Sequence, residues 1–116
     1  MTLPELLAGL RANTLDFEDT LAFVAAHFHY QPSAFKNGLD DQAVMNAAGQ
    51  NEGACRVFAL GQLQQLSPED TLSLFGRHFR DVLNDPNGSS HANIRQFMRH
   101  GWAGIAFEQA ALAPKI

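Results

Sequence analysis

The sequence predicts an all-α domain of about five helices packed around one central buried helix, with at most one minor β-hairpin. Two observations favour this fold class. Apolar residues recur at helical spacing through most of the chain, and capping residues stand ahead of several of these stretches. The 116 residues fit one domain, and 46% hydrophobic residues with nine Phe can form its core. We therefore treat residues 1–116 as a single helical domain.

The first two helices have recognisable starts and ends. Thr2, followed by a proline and a glutamate, can cap a first helix that is expected to end near residues 11–13. The second helix is expected to begin at Thr14 or Asp16 and to be ended by Pro32, because a proline disfavours helical backbone in the residue before it.

The helical pattern is absent between residues 31 and 50. Asn37 and Gly38 form the strongest local turn signal in the chain. The apolar segments on either side, Ser33–Phe35 and Ala43–Met45, predict a small irregular hairpin.

Three further helices are expected in the second half of the chain. The third, capped by Asn51 and running to about Gln65, is apolar around most of its circumference and is therefore the candidate for the central helix. A fourth follows from Ser67 to before Pro86, and a fifth from Ser90 to about His100. No partner can be named for the tail after residue 108, so it is expected to fray.

Composition limits the classes of function. A net charge of −4 argues against a dedicated nucleic-acid binder, which usually needs a basic surface. No segment has the roughly 20 apolar residues that span a bilayer, and the N-terminus lacks a secretory signal. Cys55 is the single cysteine, so no intrachain disulfide exists. These features predict a cytoplasmic protein without membrane contact and without a cofactor.

Four segments are distinctive in order and spacing. They are FKNG (35–38), NAAGQNEGACRVFALGQL (46–63), TLSLFG (71–76) and HANIRQFMRHGWAGI (91–105). By these segments the chain resembles the HopJ type III effector protein family over about residues 17–107. It departs from the family at Ala54, where members often have a serine, and at His78-Phe79, where a tyrosine pair is common.

The resemblance implies delivery into a host cell, and it implies no settled enzymatic activity. Secreted effectors usually carry a disordered leader ahead of the fold, whereas a capped helix is predicted here from Thr2. A resident cytosolic role is therefore favoured over delivery as an effector.

Two polar stretches stand out against the Phe- and Leu-rich helices, and both lie at helix starts. We expect them to meet and to form one ligand- or partner-binding surface, because free N–H groups at helix starts suit polar or anionic ligands. The candidate binding residues are Asn46, Gly49, Asn51, Glu52, His91, Asn93 and Arg95. The alternative is that each stretch only caps its own helix, and that Arg95 and Arg99 form a solvated face paired with Asp81 or Asp85.

The most favoured function is a non-catalytic binding or interaction module, whose partner is an unknown protein or a small polar ligand. A small enzyme is the alternative, with Cys55 or His91 as the catalytic group and Asn93 as a third member. The apolar neighbours of Cys55 favour a structural thiol instead. No metal site is expected, because the five His show neither i, i+4 pairing nor a CxxC partner. The protein is expected to be a monomer or a weak homodimer.

Overall fold

The chain forms helices and short strands in successive groups, and the computed structural model describes residues 1–115. In this range the helices are α1 (Leu3–Arg11), α2 (Phe17–His27), α3 (Glu52–Leu63), α4 (Pro68–Ser73), α5 (Arg77–Leu83) and α6 (Ala92–His100), followed by a 3₁₀ turn (Gly101–Gly104). The strands are β1 (Phe28–Tyr30), β2 (Phe35–Asn37), β3 (Val44–Asn46), β4 (Ile105–Phe107) and β5 (Leu112–Pro114).

The fold is mixed α/β, so the predicted all-α class is wrong. About 50% of the chain is helical and 13% is strand, and the strands form two small antiparallel sheets with the orders β3-β2-β4 and β1-β5. Each strand is only three residues long. A period of two cannot be recognised over three residues, which is why the sequence pattern did not indicate most of these strands.

The predicted hairpin is confirmed, with its strands shifted slightly along the chain. β2 pairs with β3 in the register Phe35↔Asn46, and β4 pairs with the other edge of β2. The connection is longer than a tight turn. Gly38 follows β2 with φ +123°, a conformation that favours glycine, and it donates its N–H to Gly104 O at 2.9 Å.

The second helix is shorter than predicted, and the C-terminal segment is better ordered than predicted. α2 ends at His27, and the next three residues form β1 instead of a last helical turn. β1 pairs with β5 in the register His29↔Ala113, so the expected fraying of the tail is wrong up to residue 115. Ile116 lies outside the described residues.

The predicted fourth helix is divided in two by Gly76. This residue has φ +57°, and a Cβ at its position would collide with Asp16 Oδ1 and lie 2.7 Å from Phe17 N. The close approach brings the start of α2 against the start of α5. Asp16 accepts hydrogen bonds from Phe17 N at 2.8 Å and from Arg77 N at 2.9 Å, so one carboxylate caps both helices.

The core is organised around α3, as predicted. The side chains of Val57, Phe58 and Leu60 are fully buried, and Phe97 from α6 is 1% exposed. The rings of Phe58 and Phe97 lie 4.9 Å apart between centroids, and Phe58 also packs edge-on against Phe75. No helix within residues 1–115 is both long enough and apolar enough to cross a membrane.

Candidate functional site

A network of asparagine side chains joins the two polar stretches singled out in the sequence. Asn46 at the end of β3 and Asn93 in the first turn of α6 exchange side-chain hydrogen bonds at 3.1 and 3.0 Å. Asn51 donates to Asn46 Oδ1 at 2.6 Å, and Asn37 donates to Asn93 O at 2.7 Å. Asn37, Asn46 and Asn93 are buried. The stretches around Asn51 and His91 therefore meet, as expected.

Asn51 and His91 occupy equivalent places at the starts of α3 and α6. Each has left-handed backbone, with φ 50° for Asn51 and φ 54° for His91, and neither provides a side-chain cap to its helix. The expected cap by Asn51 is wrong, because its amide group is used in the asparagine network instead. Among the described residues, no side chain accepts a hydrogen bond from the backbone N–H groups in the first turn of either helix.

These two helix starts open onto one cavity of about 410 Å³. Its lining combines the first turns of both helices with aromatic and apolar side chains from α2, β3 and the α4–α5 region. The lining residues are Phe17, Val44, Asn51, Gly53, Ala54, Phe75, His78, His91, Ala92, Asn93 and Ile94. The cavity can therefore offer free N–H groups to one part of a ligand and an apolar wall to another.

Two imidazoles and one carboxylate stand together at the edge of this cavity. His78 and His91 have ring centroids 5.2 Å apart, and Asp81 Oδ2 lies 3.7 Å from His91 Nε2. Phe17 packs edge-on against the ring of His78 at 4.9 Å. Burial lowers the pKa of His78, and the charge of Arg77 and the neighbouring His91 lower it further. These three side chains can hold a divalent metal ion, a possibility that the sequence analysis did not expect.

Four of the candidate site residues are absent from the cavity lining, and one of them, Asn46, is buried in the asparagine network behind it. Gly49 is exposed, and apart from its chain neighbours no described residue comes within 4 Å of its Cβ position. Glu52 accepts a hydrogen bond from Tyr30 Oη at 3.1 Å and is absent from the lining. Arg95 donates to Ser90 O and lies within 4.0 Å of Asp85, so it holds the loop before α6. This contact agrees with the alternative interpretation, in which Arg95 pairs with an aspartate such as Asp85.

Cys55 is 1% exposed and lies outside the cavity lining. Its Sγ is 3.8 Å from Ser33 O, and burial raises the pKa of the thiol. His91 and Asn93 line the cavity, so the proposed Cys-His-Asn set is not assembled there. A thiol in this environment is protonated at neutral pH and is shielded from solvent.

Sequence reasoning missed Asn37, His78 and Asp81. Asn37 was interpreted only as a turn residue, whereas its side chain is fully buried in the network. A signal for the other two was present, since His78 and Asp81 are three residues apart and so share a helix face. Their partner His91 comes from another helix, and no spacing rule could have supplied it.

Comparison with known proteins gives a family match and a similar solved structure. The family model described as HopJ type III effector protein matches residues 3–112. The chain is similar to a crystal structure of VPA0580, a protein of unknown function, with 42% sequence identity and a TM-score of 0.87. That alignment covers 99% of this chain and 95% of VPA0580. No curated protein matches the chain.

Proposed function

The chain belongs to the HopJ type III effector protein family, and from that premise we propose that it is a binding module for a small polar ligand with an anionic group. The ligand occupies the cavity between the starts of α3 and α6. One observation carries this proposal: the first turns of both helices line a single cavity, and neither has a side-chain cap.

The proposed donors are the backbone N–H groups of residues 53–54 and 92–94, all of which line the cavity. The first main-chain hydrogen bonds of the two helices are made by Cys55 N to Asn51 O and by Arg95 N to His91 O. The N–H groups before these residues have no intrahelical acceptor. A carboxylate or phosphate oxygen can accept several of them at once and also interacts favourably with both helix dipoles.

The asparagine network supports the proposal because it fixes the two helix starts relative to each other. Asn46 and Asn93 are buried and bonded to each other in both directions. Donors held in place before a ligand arrives lose little conformational entropy on binding. The cavity volume of about 410 Å³ falls within the range of about 300–1,000 Å³ that is typical of small-molecule sites.

The acid in the first turn of α3 does not oppose an anion in the cavity. Glu52, the acid in the first turn of α3, is directed to Tyr30 and does not line the cavity. Arg56 stacks at 3.9 Å over the ring of Tyr30, the residue that donates to this acid. Binding rather than catalysis is favoured, since the cysteine that could act as a nucleophile is buried elsewhere.

Inorganic phosphate is the probe for testing this function. In ¹⁵N-labelled protein, saturable amide shifts are expected at residues 53–54 and 92–94. Ala54→Asp places a carboxylate at the third position of α3, where it is compatible with the helix and occupies the same dipole end. This variant should bind phosphate about tenfold more weakly or worse, since two like charges would meet in one cavity.

The matched control is Ala8→Asp, which makes the same charge change at an exposed position of α1. It should bind phosphate as the wild type does. Equal loss in both variants would mean that only net charge matters, and an absence of saturable shifts at these amides in the wild type would refute the site.

The family description favours a second candidate, in which this binding takes place inside a host cell after type III secretion. Fusion of a calmodulin-dependent adenylate cyclase to the chain provides the test. Cyclic AMP should rise in host cells exposed to bacteria with an intact secretion apparatus. It should not rise with an apparatus-deficient strain, and equal signals from both strains would exclude delivery by this route.

A further inference from the structure

His78, Asp81 and His91 form a cluster that the proposed anion site does not use. Each offers one ligand atom, and these atoms all lie within 4.8 Å of one another. His78 and Asp81 stand one turn apart on α5, and His91 immediately precedes α6. The asparagine network holds the start of α6 in place, and Asp16 holds the start of α5 by accepting the N–H of Arg77.

We propose that His78, Asp81 and His91 bind a divalent transition-metal ion of the Zn²⁺ type at the edge of the cavity. Two imidazole nitrogens and one carboxylate oxygen are a ligand set that Zn²⁺ accepts, with a fourth position left open. Both histidines line the cavity and Asp81 does not, so the open position lies on the cavity side. The site goes beyond the proposed function and does not require an anion to be bound.

The distances are compatible with closure around an ion. Ligand atoms about 2.0–2.1 Å from a tetrahedral Zn²⁺ are about 3.3 Å from one another. Asp81 Oδ2 and His91 Nε2 are already 3.7 Å apart. The Asp81 side chain is 62% exposed and that of His91 is 30% exposed, so both have room to rotate toward an ion. Phe17 packs against His78 and leaves it as the most constrained of the three.

The charge of the surroundings favours a cation. Arg77, the nearest guanidinium in the sequence, is paired with Glu18 at 2.6 Å and with Asp16 at 3.5 Å. Its positive charge is therefore largely compensated, and Asp81 supplies a negative charge to the ion.

The experiment uses Co²⁺ as a spectroscopic probe and Zn²⁺ in isothermal titration calorimetry, both without phosphate. The full chain should bind one ion, Co²⁺ should give the strong visible absorption of a four-coordinate site, and chelator should reverse both. His91→Ala and His78→Phe should each weaken Zn²⁺ binding by about 10–100-fold or abolish it. Phenylalanine at position 78 keeps an aromatic ring against Phe17, so this variant retains the local packing.

The matched control is His29→Ala, which removes an exposed imidazole of β1 and should leave the affinity unchanged. In the wild type, Co²⁺ should broaden the imidazole NMR signals of His78 and His91 selectively, a result that needs no variant to fold. The proposal is overturned if no ion binds, if the two cluster variants bind as the wild type does, or if His29 is broadened instead. If phosphate shifts the amide signals but no metal ion binds, only the metal site is overturned. If a metal ion binds but phosphate does not shift the amide signals, only the proposed function is overturned.

Discussion

Asn46 and Asn93 lie 47 residues apart in the chain and bond to each other in both directions through their side-chain amides. The pair ties the end of β3 to the first turn of α6, and Asn51 extends it to the start of α3. The two helix starts that line the cavity are therefore positioned by side chains that do not themselves cap either helix.

The first prediction is that Asn46→Ala destabilises the protein by about 1–3 kcal/mol, because it leaves the buried amide of Asn93 without its partner. Chemical denaturation in urea measures this loss. Asn87→Ala, in an exposed loop residue, is the matched control and should change the free energy of unfolding by less than about 0.5 kcal/mol. An effect of Asn46→Ala no larger than the control would mean that the network is dispensable.

The helices with local capping signals were the predictable part of the fold. Thr2 and Asp16 cap α1 and α2 with capping boxes, and Ser67 caps α4, because these signals act within one turn of chain. The division at Gly76 was not predictable in the same way. It results from contact with Asp16, which is 60 residues away in the chain.

The candidate site was predictable as a meeting of two polar stretches, but not in its composition. Asn, Gly and His at helix starts marked residues 46–55 and 91–95, and these do come together. Arg95 was assigned to the site because arginine suits anions, whereas its actual contacts are with the preceding loop. His78 was missed because only tertiary packing brings α5 beside the start of α6.

A second prediction concerns the aromatic centre of the core. Phe58→Ala and Phe97→Ala should each cost about 3–5 kcal/mol of stability, since both rings are almost completely buried and in contact. Combined in one chain, the two changes should not be additive, because they remove the same contact. Denaturation of the single and double variants measures both effects.

The control for this prediction is Met45→Ala, at a side chain that is 72% exposed. It should shift the free energy of unfolding by less than about 0.5 kcal/mol. Losses under about 1 kcal/mol for either phenylalanine would contradict the core assignment.

A third prediction is a pH dependence that originates at Asp16. Backbone N–H donation by Arg77 and Phe17 lowers the pKa of this carboxyl group, and the charges of Arg77 and Arg80 lower it further. The unfolded chain therefore takes up this proton at a higher pH than the folded chain does. The stabilisation is present above the ordinary pKa and is lost as pH falls through the lowered one.

Asp16→Asn should accordingly be less stable than the wild type at neutral pH, and the difference should shrink as the solution is acidified through the folded pKa of Asp16. Unfolding curves recorded across the acidic range provide the measurement. Asp41→Asn, at an exposed carboxylate of the β2–β3 loop, should follow the wild type throughout. A stability difference for Asp16→Asn that does not change with pH would contradict the role of its charge.

The last prediction is that Cys55 reacts only when the protein opens. The side chain is 1% exposed, and burial raises its pKa, so the folded protein offers an alkylating reagent neither access nor thiolate. Labelling by iodoacetamide at neutral pH should be slow in the native protein and should accelerate as urea unfolds it, whereas Cys55→Ala should show no labelling. The raised pKa has a further consequence in alkaline solution. The unfolded chain releases the thiol proton first, so stability should fall as pH rises from the ordinary thiol pKa to the raised one, and Cys55→Ala should lack this part of the decline. Rapid stoichiometric labelling of the native protein would show that the thiol is accessible and would make the enzyme alternative the stronger one.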